Sequence, residues 1–586
     1  MKNNLDNLRH TTSHLLAAAV LELYPYARIT LGPPIENGFY YDIDFGNDKI
    51  SEEDLPKIEK KMRQLVKNWT SVEGKEISID EAKKLFKNNQ YKLELIEEIT
   101  KKGEKITIYK SGNFIDLCRG GHIKNPSQEI KHFKLLSIAG AYWRGNEKNK
   151  MLTRIYGTVF PTKEELDKYL WQLEEAKKRD HKKIGKELKL FILPQDVGSG
   201  LLIWSPYGAI IRRKIEELII NEQTKRGYLH VYTPHIGKKT LWQTSGHWDL
   251  YRDKMYAPMK IDEDEYLVKP MNCPFHMMVY KSELRSYKDL PLRIAEIATV
   301  YRYEKAGELS GMLRVRHITQ DDSHIFCRED QVVDEFLGVF DYMIYLLNIF
   351  GLKDYYFRLG LRSPKEKYLG NDEIWIKAEK EIVKAIEKKG LNYIKSEGDA
   401  AFYGPKLDVI IKDAIGRQWQ CGTIQVDFML PERFGLEYID ENGKIQRPAL
   451  IHRAPLGSLE RFVAILIEHY AGAFPLWLSP VQIAILPVSE KFVDHANKLA
   501  EIFQKNNLRI ENNFENETLS KKIRSATLKK IPYLVIIGEK EVNGLSLEEY
   551  EKNGLVAIRT REGKDLGQIN INQFILNLNR QIETFS

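Results

Sequence analysis

Arg302-x-Glu304 and, ten residues on, Arg314 bring two guanidinium groups and a carboxylate into one short stretch of this 586-residue chain. The run Tyr301-Arg302-Tyr303-Glu304, the polar segment Lys305 to Gly311, and Arg314-Val315-Arg316 leading to Asp321-Asp322-Ser323-His324 read as a strand, a loop and a return strand. Gly307 and Gly311 are expected at the turn, where positive φ is cheap for glycine. On this reading Arg302 and Arg314 converge on one anion, because a guanidinium fork offers fixed bidentate donors to phosphate. Glu304 shares a strand face with Arg302 and is suited to accept from an amino group such as that of adenine. The same spacing also fits a charged hairpin facing water, whose ion pairs contribute little.

Three further constellations carry potential chemistry. His10-x-x-x-His14 puts two imidazoles on one helix face, and Cys118-x-x-x-His122 follows Asp116; by spacing alone this looks like a zinc site. Cys273, His324 and His452 lie far apart, so spacing does not join them, and a lone Cys or His is more often a packed core residue. Gly457-Ser458-Leu459-Glu460-Arg461 sets small residues and a cation at a helix head, a weak signal by itself. No G-x-x-x-x-G-K-[ST] phosphate loop occurs.

The length calls for three or four domains to position these residues. With 43% apolar and 29% charged residues the composition is that of a soluble globular protein. No signal-peptide design or membrane-length apolar run is found, and four scattered cysteines point to a reducing, cytoplasmic setting. A net charge of +7 is compatible with RNA without being diagnostic. Periodicity predicts a helix from Asp6 to about Tyr24, a strand over Phe39 to Phe45, and a long charged helix from Lys163 to Lys189 acting as a linker. It also predicts a helix from Gly208 to Lys225 and strands over Tyr266–Lys269 and Arg293–Tyr301. After Pro480, strands alternate with helices at Lys491–Lys505 and Thr518–Lys530, the pattern of a small α/β domain.

Arg302-x-Glu304 with Arg314 resembles motif 2 of the class II aminoacyl-tRNA synthetases. The stretches GELSGMLRVRHITQDDSHIFC, KPMNCPFHM, FYGPKLDV, WQCGTIQVDF and HRAPLGSLERF are similar to the threonyl branch of that family, as are CRGGHIKN and RTREGKDLG. The resemblance implies an α+β multidomain fold: an editing domain (1–160), a linker helix (161–189), a class II antiparallel-sheet catalytic domain (190–479) and an α/β anticodon-binding domain (480–586). It implies ATP-dependent ligation of L-threonine to tRNA(Thr), with Mg2+ accompanying ATP and one Zn2+ per chain on Cys273, His324 and His452.

Residue by residue, the resemblance gives Arg302, Glu304, Arg314, Gln418 and Arg461 to ATP, Arg302 and Arg461 acting also on the developing phosphate charge. His247 would help move a proton in acyl transfer. Asp322, Tyr403, Lys406, Gln420, Thr423, Gln425 and Ser458 match threonine-pocket positions. His10, His14, Cys118 and His122, supported by Lys92 and Asp116, match a hydrolytic pocket that works without metal and removes serine from tRNA(Thr). Glu541 and Arg559 match anticodon contacts, while Lys521, Lys522 and Arg524 would hold phosphate or face solvent. The Gly208–Lys225 helix resembles motif 1, which builds a homodimer in the family.

Three departures stand out. Ile318 replaces the usual phenylalanine against adenine, Gly121 stands where proline is more common, and a ubiquitin-like module is expected to be absent before the His10 helix. Cys327 and Cys421 are expected to be structural. The alternatives are a prolyl or seryl enzyme of the same class and a non-catalytic RNA-binding factor. The Cys–His–His set argues against proline, the lack of a coiled coil against serine, and the three intact arginines against loss of catalysis.

Overall fold

The computed structural model describes residues 2–585 and falls into two compact units, Met1–Glu174 and Glu175–Ser586. Among the described residues no helix is long and apolar enough to cross a membrane.

The first unit opens with the helix Lys2–Leu23, buried without a break from Thr11 to Val20. Hydroxyls inside this buried run are satisfied locally: Thr11 and Thr12 donate to the carbonyls of Asn7 and Leu8 at 2.8 and 2.7 Å. The helix packs on an antiparallel sheet of Arg28–Ile29, Gly38–Asp44, Met151–Phe160 and His132–Tyr142, with Pro34–Ile35 pairing onto Gly38–Asp44. A three-stranded sheet of Glu73–Glu76, Thr107–Ser111 and Phe114–Leu117 accompanies the helix Gln90–Lys101. Asn89 caps that helix, accepting the N–H groups of Tyr91 and Lys92. Lys92 Nζ thereby lies 2.5 Å from Asp116 Oδ1, with both side chains at most 2% exposed.

The linker departs from the expected single helix. It forms Lys163–Lys178 and His181–Glu187, because Asp180 caps the second helix by accepting from Lys182 and Lys183 N–H at 2.7 and 3.3 Å.

The second unit is built on an eight-stranded sheet. Its order is Leu229–His230, Leu292–Tyr301, His317–Cys327, Ala449–Ala454, Gln418–Asp427, Lys406–Lys412, Tyr355–Leu361 and Tyr393–Glu397. The outermost pair at each edge is parallel and every inner pair is antiparallel. The helix Pro206–Lys225 buries Ile211, Ile215, Leu218 and Ile219 in the core shared with Leu459–Tyr470. Gly208 is required there, since a Cβ would stand 1.9 Å from the Leu190 carbonyl oxygen.

The expected motif 2 hairpin is corrected in two respects. The strands end at Tyr301 and restart at His317, so Arg302, Glu304 and Arg314 stand on the connection. Gly311 takes φ +52, but Gly307 lies in the short 3-10 turn Ala306–Glu308 without positive φ. The strand expected at Tyr266–Lys269 is Asp264–Val268.

The C-terminal segment forms a mixed sheet ordered Ile510–Asn512, Ile483–Pro487, Tyr533–Ile537, Leu555–Thr560 and Asp565–Asn570. The first three strands are parallel and the last two are added antiparallel.

Removing Asp116 leaves the Lys92 ammonium buried without its carboxylate, a change that costs about 3–5 kcal/mol. Asp116→Ala should therefore lower the protection of first-unit amides in native-state hydrogen exchange and leave those of the eight-stranded sheet unchanged; equal protection in both units would contradict it.

Candidate active site

Strand alternation builds a cleft of about 780 Å³ over the eight-stranded sheet. Ile318, Gln320, Asp322 and His324 point into it from one strand. Register then sets His324 opposite His452, and His452 opposite Gln425. Cys273, at the head of the helix Cys273–Lys281, completes a triad whose ligand atoms all lie within 4.8 Å of one another. The three side chains are buried.

The donor set fits a zinc ion. His452 Nε2 is 2.9 Å from Asp427 Oδ2, which leaves Nδ1 as the coordinating nitrogen. His324 Nδ1 is 2.8 Å from His276 Nδ1, and its Nε2 is buried without a partner among the described residues. Burial, reinforced by the charges of His452 and His276, holds His324 well below the usual imidazole range, so it stays neutral. Burial, with Asp322 adding to it, pushes the Cys273 thiol well up; a bound cation reverses that by favouring thiolate.

Tyr403, Lys406, Gln420, Thr423, Gln425 and Ser458 all line the same cleft with Asp322. Tyr403 donates to Gln425 Oε1 at 2.5 Å. Thr423 donates to Asp408 Oδ1 at 2.7 Å, and Lys406 Nζ is 2.8 Å from Asp408 Oδ2. Burial raises the Asp322 carboxyl, partly offset by His276 and His452.

At the other end of the cleft, Arg314 grips Glu304 Oε2 through Nε and Nη2 at 3.0 and 2.9 Å, with Lys254 Nζ also 2.9 Å away. Among the described residues the Arg302 guanidinium has weak partners, Pro270 O at 3.5 Å, Met271 Sδ at 3.2 Å and the Tyr251 ring. Arg461 faces Trp419, and its buried Nε has no partner among the described residues. Burial lowers its pKa, with Arg314 adding to the effect, so an anion placed here is strongly favoured. Ile318, 9% exposed, offers an apolar face without a π system.

Two expected members are not brought to this surface. Gln418 accepts from Tyr356 OH at 2.9 Å and stays outside the lining. His247 is fully buried behind Phe402 and Tyr403, its Nδ1 2.7 Å from Ser245 Oγ. Burial, with His452 and Arg302 adding to it, drives its pKa down to about 3.

In the first unit a separate cavity of about 360 Å³ is lined by His10, His14, Lys92, Asp116 and Cys118. Cys118 Sγ is 3.5 Å from His10 Nε2 and 3.2 Å from His122 Nε2. Burial lowers the pKa of His10, of His14 and of His122, the last to about 2, and raises the Cys118 thiol to about 11. All four groups are therefore neutral near pH 7. Gly121 takes φ +86, which proline cannot adopt, so this loop follows a path that proline would forbid.

In the C-terminal sheet, Glu541 is 7% exposed, accepting from Gly538 N–H at 2.9 Å and Gln568 Nε2 at 2.6 Å. Arg559 sits on the strand Leu555–Thr560, partly exposed. Lys522 neither faces solvent nor holds phosphate; it is buried and donates to the Pro487 carbonyl at 3.1 Å. Cys327 and Cys421 are both buried, and Cys421 also lies on the cleft floor.

Sequence reasoning missed several participants. His276, one helical turn after Cys273, and Asp427, two residues after Gln425, had signals beside residues already singled out. Tyr41, which donates to Asp116, and Arg358, 3.2 Å from Asp408, are brought in by distant pairing alone.

Three family models match the chain: a tRNA synthetase class II core domain (G, H, P, S and T) over residues 256–470, an anticodon binding domain over 482–581, and a threonyl and alanyl tRNA synthetase second additional domain over 106–156. The threonine–tRNA ligase of Sulfurihydrogenibium sp. (strain YO3AOP1) is 48% identical over 98% of this chain and 88% of its own length. That of Cytophaga hutchinsonii is 51% identical over 97% and 87%. Among solved structures, the RNA binding domain of threonyl-tRNA synthetase from Cryptosporidium parvum Iowa II has a TM-score of 0.63 at 36% identity, covering 69% of this chain and 98% of that one. With a class II core model matched and full-length relatives near half identity, the chain belongs to the threonine–tRNA ligase family of class II aminoacyl-tRNA synthetases.

Proposed function

We propose that the second unit joins L-threonine to ATP, releasing pyrophosphate, and passes the threonyl group from the adenylate to the terminal ribose of tRNA(Thr), while the first unit hydrolyses seryl-tRNA(Thr). One observation carries the ligase reading: a Cys–His–His triad and an arginine, Arg461, whose buried Nε has no hydrogen-bond partner among the described residues share one cleft. We assign residues 1–160 to editing, 161–189 to the linker, 190–479 to catalysis and 480–586 to anticodon binding.

Cys273, His324 and His452 would hold a zinc ion, which would supply Lewis-acid binding for both the amino and the hydroxyl group of threonine. The ligand requirement rejects valine, which lacks a hydroxyl. Asp322 accepts from the substrate amino or hydroxyl group, and Tyr403 and Gln425, bonded to each other, wall the pocket. Arg302 and Arg461 meet the α-phosphate and stabilise the charge that grows as the carboxylate attacks, with Mg2+ entering on ATP. Glu304, aimed by Arg314 and Lys254, accepts from the adenine amino group.

Serine keeps the hydroxyl and lacks one methyl, which is worth only about 10–200-fold in discrimination. A second site is therefore needed, and the neutral imidazoles beside Cys118 are suited to orient and polarise a water. A homodimer is supported by Leu229, on the edge strand of the eight-stranded sheet, and by Tyr232 and Ile236 just after it, which lie 58%, 90% and 44% exposed. Four free cysteines fit a reducing cytoplasm.

Threonine-dependent ATP–pyrophosphate exchange tests the reading. Arg302→Ala and Arg461→Ala should each lower it about a hundredfold; undiminished exchange in both would remove the assignment. Metal analysis of active protein should find one zinc per chain, and Cys273→Ala should lose zinc and threonine activation while still deacylating Ser-tRNA(Thr). Zinc-free active protein would end that claim.

The deacylation also has a distinctive pH dependence. Because the folded-state pKa values of His10, His14 and His122 are depressed, their neutral forms persist as pH falls below the ordinary histidine value of about 6.5. Hydrolysis of preformed Ser-tRNA(Thr), corrected for the uncatalysed rate, should show no step near pH 6.5. It should vanish in Cys118→Ala and His14→Ala and survive a chelator; a chelator-sensitive reaction would mean a metal centre instead.

A further inference from the structure

His181, in the charged linker, is a buried histidine that the reading above leaves without a role. It is 2% exposed, and its ring is clasped from two sides. Nε2 lies 3.1 Å from the backbone nitrogen of Met312, and Nδ1 lies 2.6 Å from Glu468 Oε1. A backbone N–H only donates and a carboxylate only accepts, so the ring is the neutral tautomer with its proton on Nδ1.

The rest of the turn reinforces the grip. The His181 backbone N–H donates to the same Glu468 oxygen at 3.1 Å, and Arg417 Nη2 lies 2.5 Å from the other one. Arg179 Nη1 donates to the His469 carbonyl at 2.9 Å, at the end of the helix Leu459–Tyr470. The loop approaches the ring as closely as a residue without a side chain permits. Gly311 has φ +52, and a Cβ there would stand 2.2 Å from His181 Nε2.

Met312 is two residues before Arg314, and the helix carrying Glu468 also carries Arg461 near its head. One imidazole thus ties the loop that presents one nucleotide arginine to the helix that presents the other. We propose that His181 is a positioning residue for nucleotide binding, holding the 302–316 connection in register with the helix Leu459–Tyr470 so that Glu304, gripped by Arg314, and Arg461 engage the same nucleotide. The proposal rests on the assignment of ATP to this cleft.

Two near-isosteres separate this role from general support. Asparagine reproduces the Nδ1 donor to Glu468 and loses the acceptor for Met312; glutamine reproduces the acceptor at the Nε2 position. In threonine-dependent pyrophosphate exchange by the full chain, His181→Asn should raise KM for ATP about tenfold, the size of one positioned hydrogen bond, and leave KM for threonine within about twofold. His181→Gln should restore KM for ATP to within about twofold of wild type. Gly311→Ala, which pushes the loop off the ring from the other side, should show the same ATP-selective rise and carries the test if His181→Asn does not fold. Equal losses in the asparagine and glutamine variants, parallel rises in both KM values, or an unchanged KM for ATP in His181→Asn and Gly311→Ala would overturn the proposal. Wild-type protein without any threonine-dependent exchange would instead overturn the assignment of the cleft.

Discussion

The pairing of His324 with His452 across two antiparallel strands, and of His452 with Gln425 on the next, fixes the geometry of everything above the sheet. Strand side chains alternate, so a slip of one residue would turn Asp322 and His324 into the core and bring Asp321 and Ser323 out. Register is held from below by burial: Ile325, Ile424 and Ile451 are fully enclosed on the opposite face. It is also held at the strand ends, where Glu460 accepts from Thr319 N–H at 2.9 Å and Asp321 accepts from Leu456 N–H at 3.3 Å. Those two bonds join the sheet to the segment that presents Ser458 and Arg461, so the cleft's floor and its cationic end are one construction.

Both cavities use burial to keep histidines neutral, and they put that neutrality to different ends. Over the sheet, the carboxylate of Asp427 and the imidazole of His276 each take up one ring nitrogen of a triad histidine, leaving the other lone pair to coordinate. Among the described residues of the first unit no carboxylate is hydrogen-bonded to these imidazoles; Asp116 is committed to Lys92 and Tyr41. Three rings stacked and crossed within about 5 Å centroid to centroid face a thiol, an arrangement of weak bases rather than of a charged pair.

Periodicity made the local elements legible. The Lys2–Leu23 and Pro206–Lys225 helices and the Leu292–Tyr301 strand lie close to their expected bounds, since each buries a face whose pattern is written along the chain. The linker break was hidden because Asp180 sits in a run of charges where a cap looks like one more solvated side chain. The motif 2 connection misled for a similar reason: polar residues at strand ends fit either strand or loop, and the tie of Arg314 and Lys254 to Glu304 decides for the loop. At the sites, the Cys273, His324 and His452 triad depends on contacts spanning much of the second unit, so only family resemblance could join its members. Gln418 and His247 show the converse: a residue type that matches a motif still has to be turned toward the cavity, and here an intramolecular bond and neighbouring aromatics hold these two back.

The separation of the two compact units along the chain also orders their appearance during synthesis. Every residue of the His10–Cys118 cavity belongs to Met1–Glu174, whereas the strand carrying His452, and the helix carrying Arg461 after it, emerge last among the walls of the sheet cleft. At about 5–20 residues per second, the ribosome needs roughly 14–56 s to travel from the end of the first unit to His452. The nascent chain therefore carries the complete pocket proposed for hydrolysis well before the residues that would load an amino acid are all present, and the half of the molecule assigned to error removal is never the part still waiting to be made.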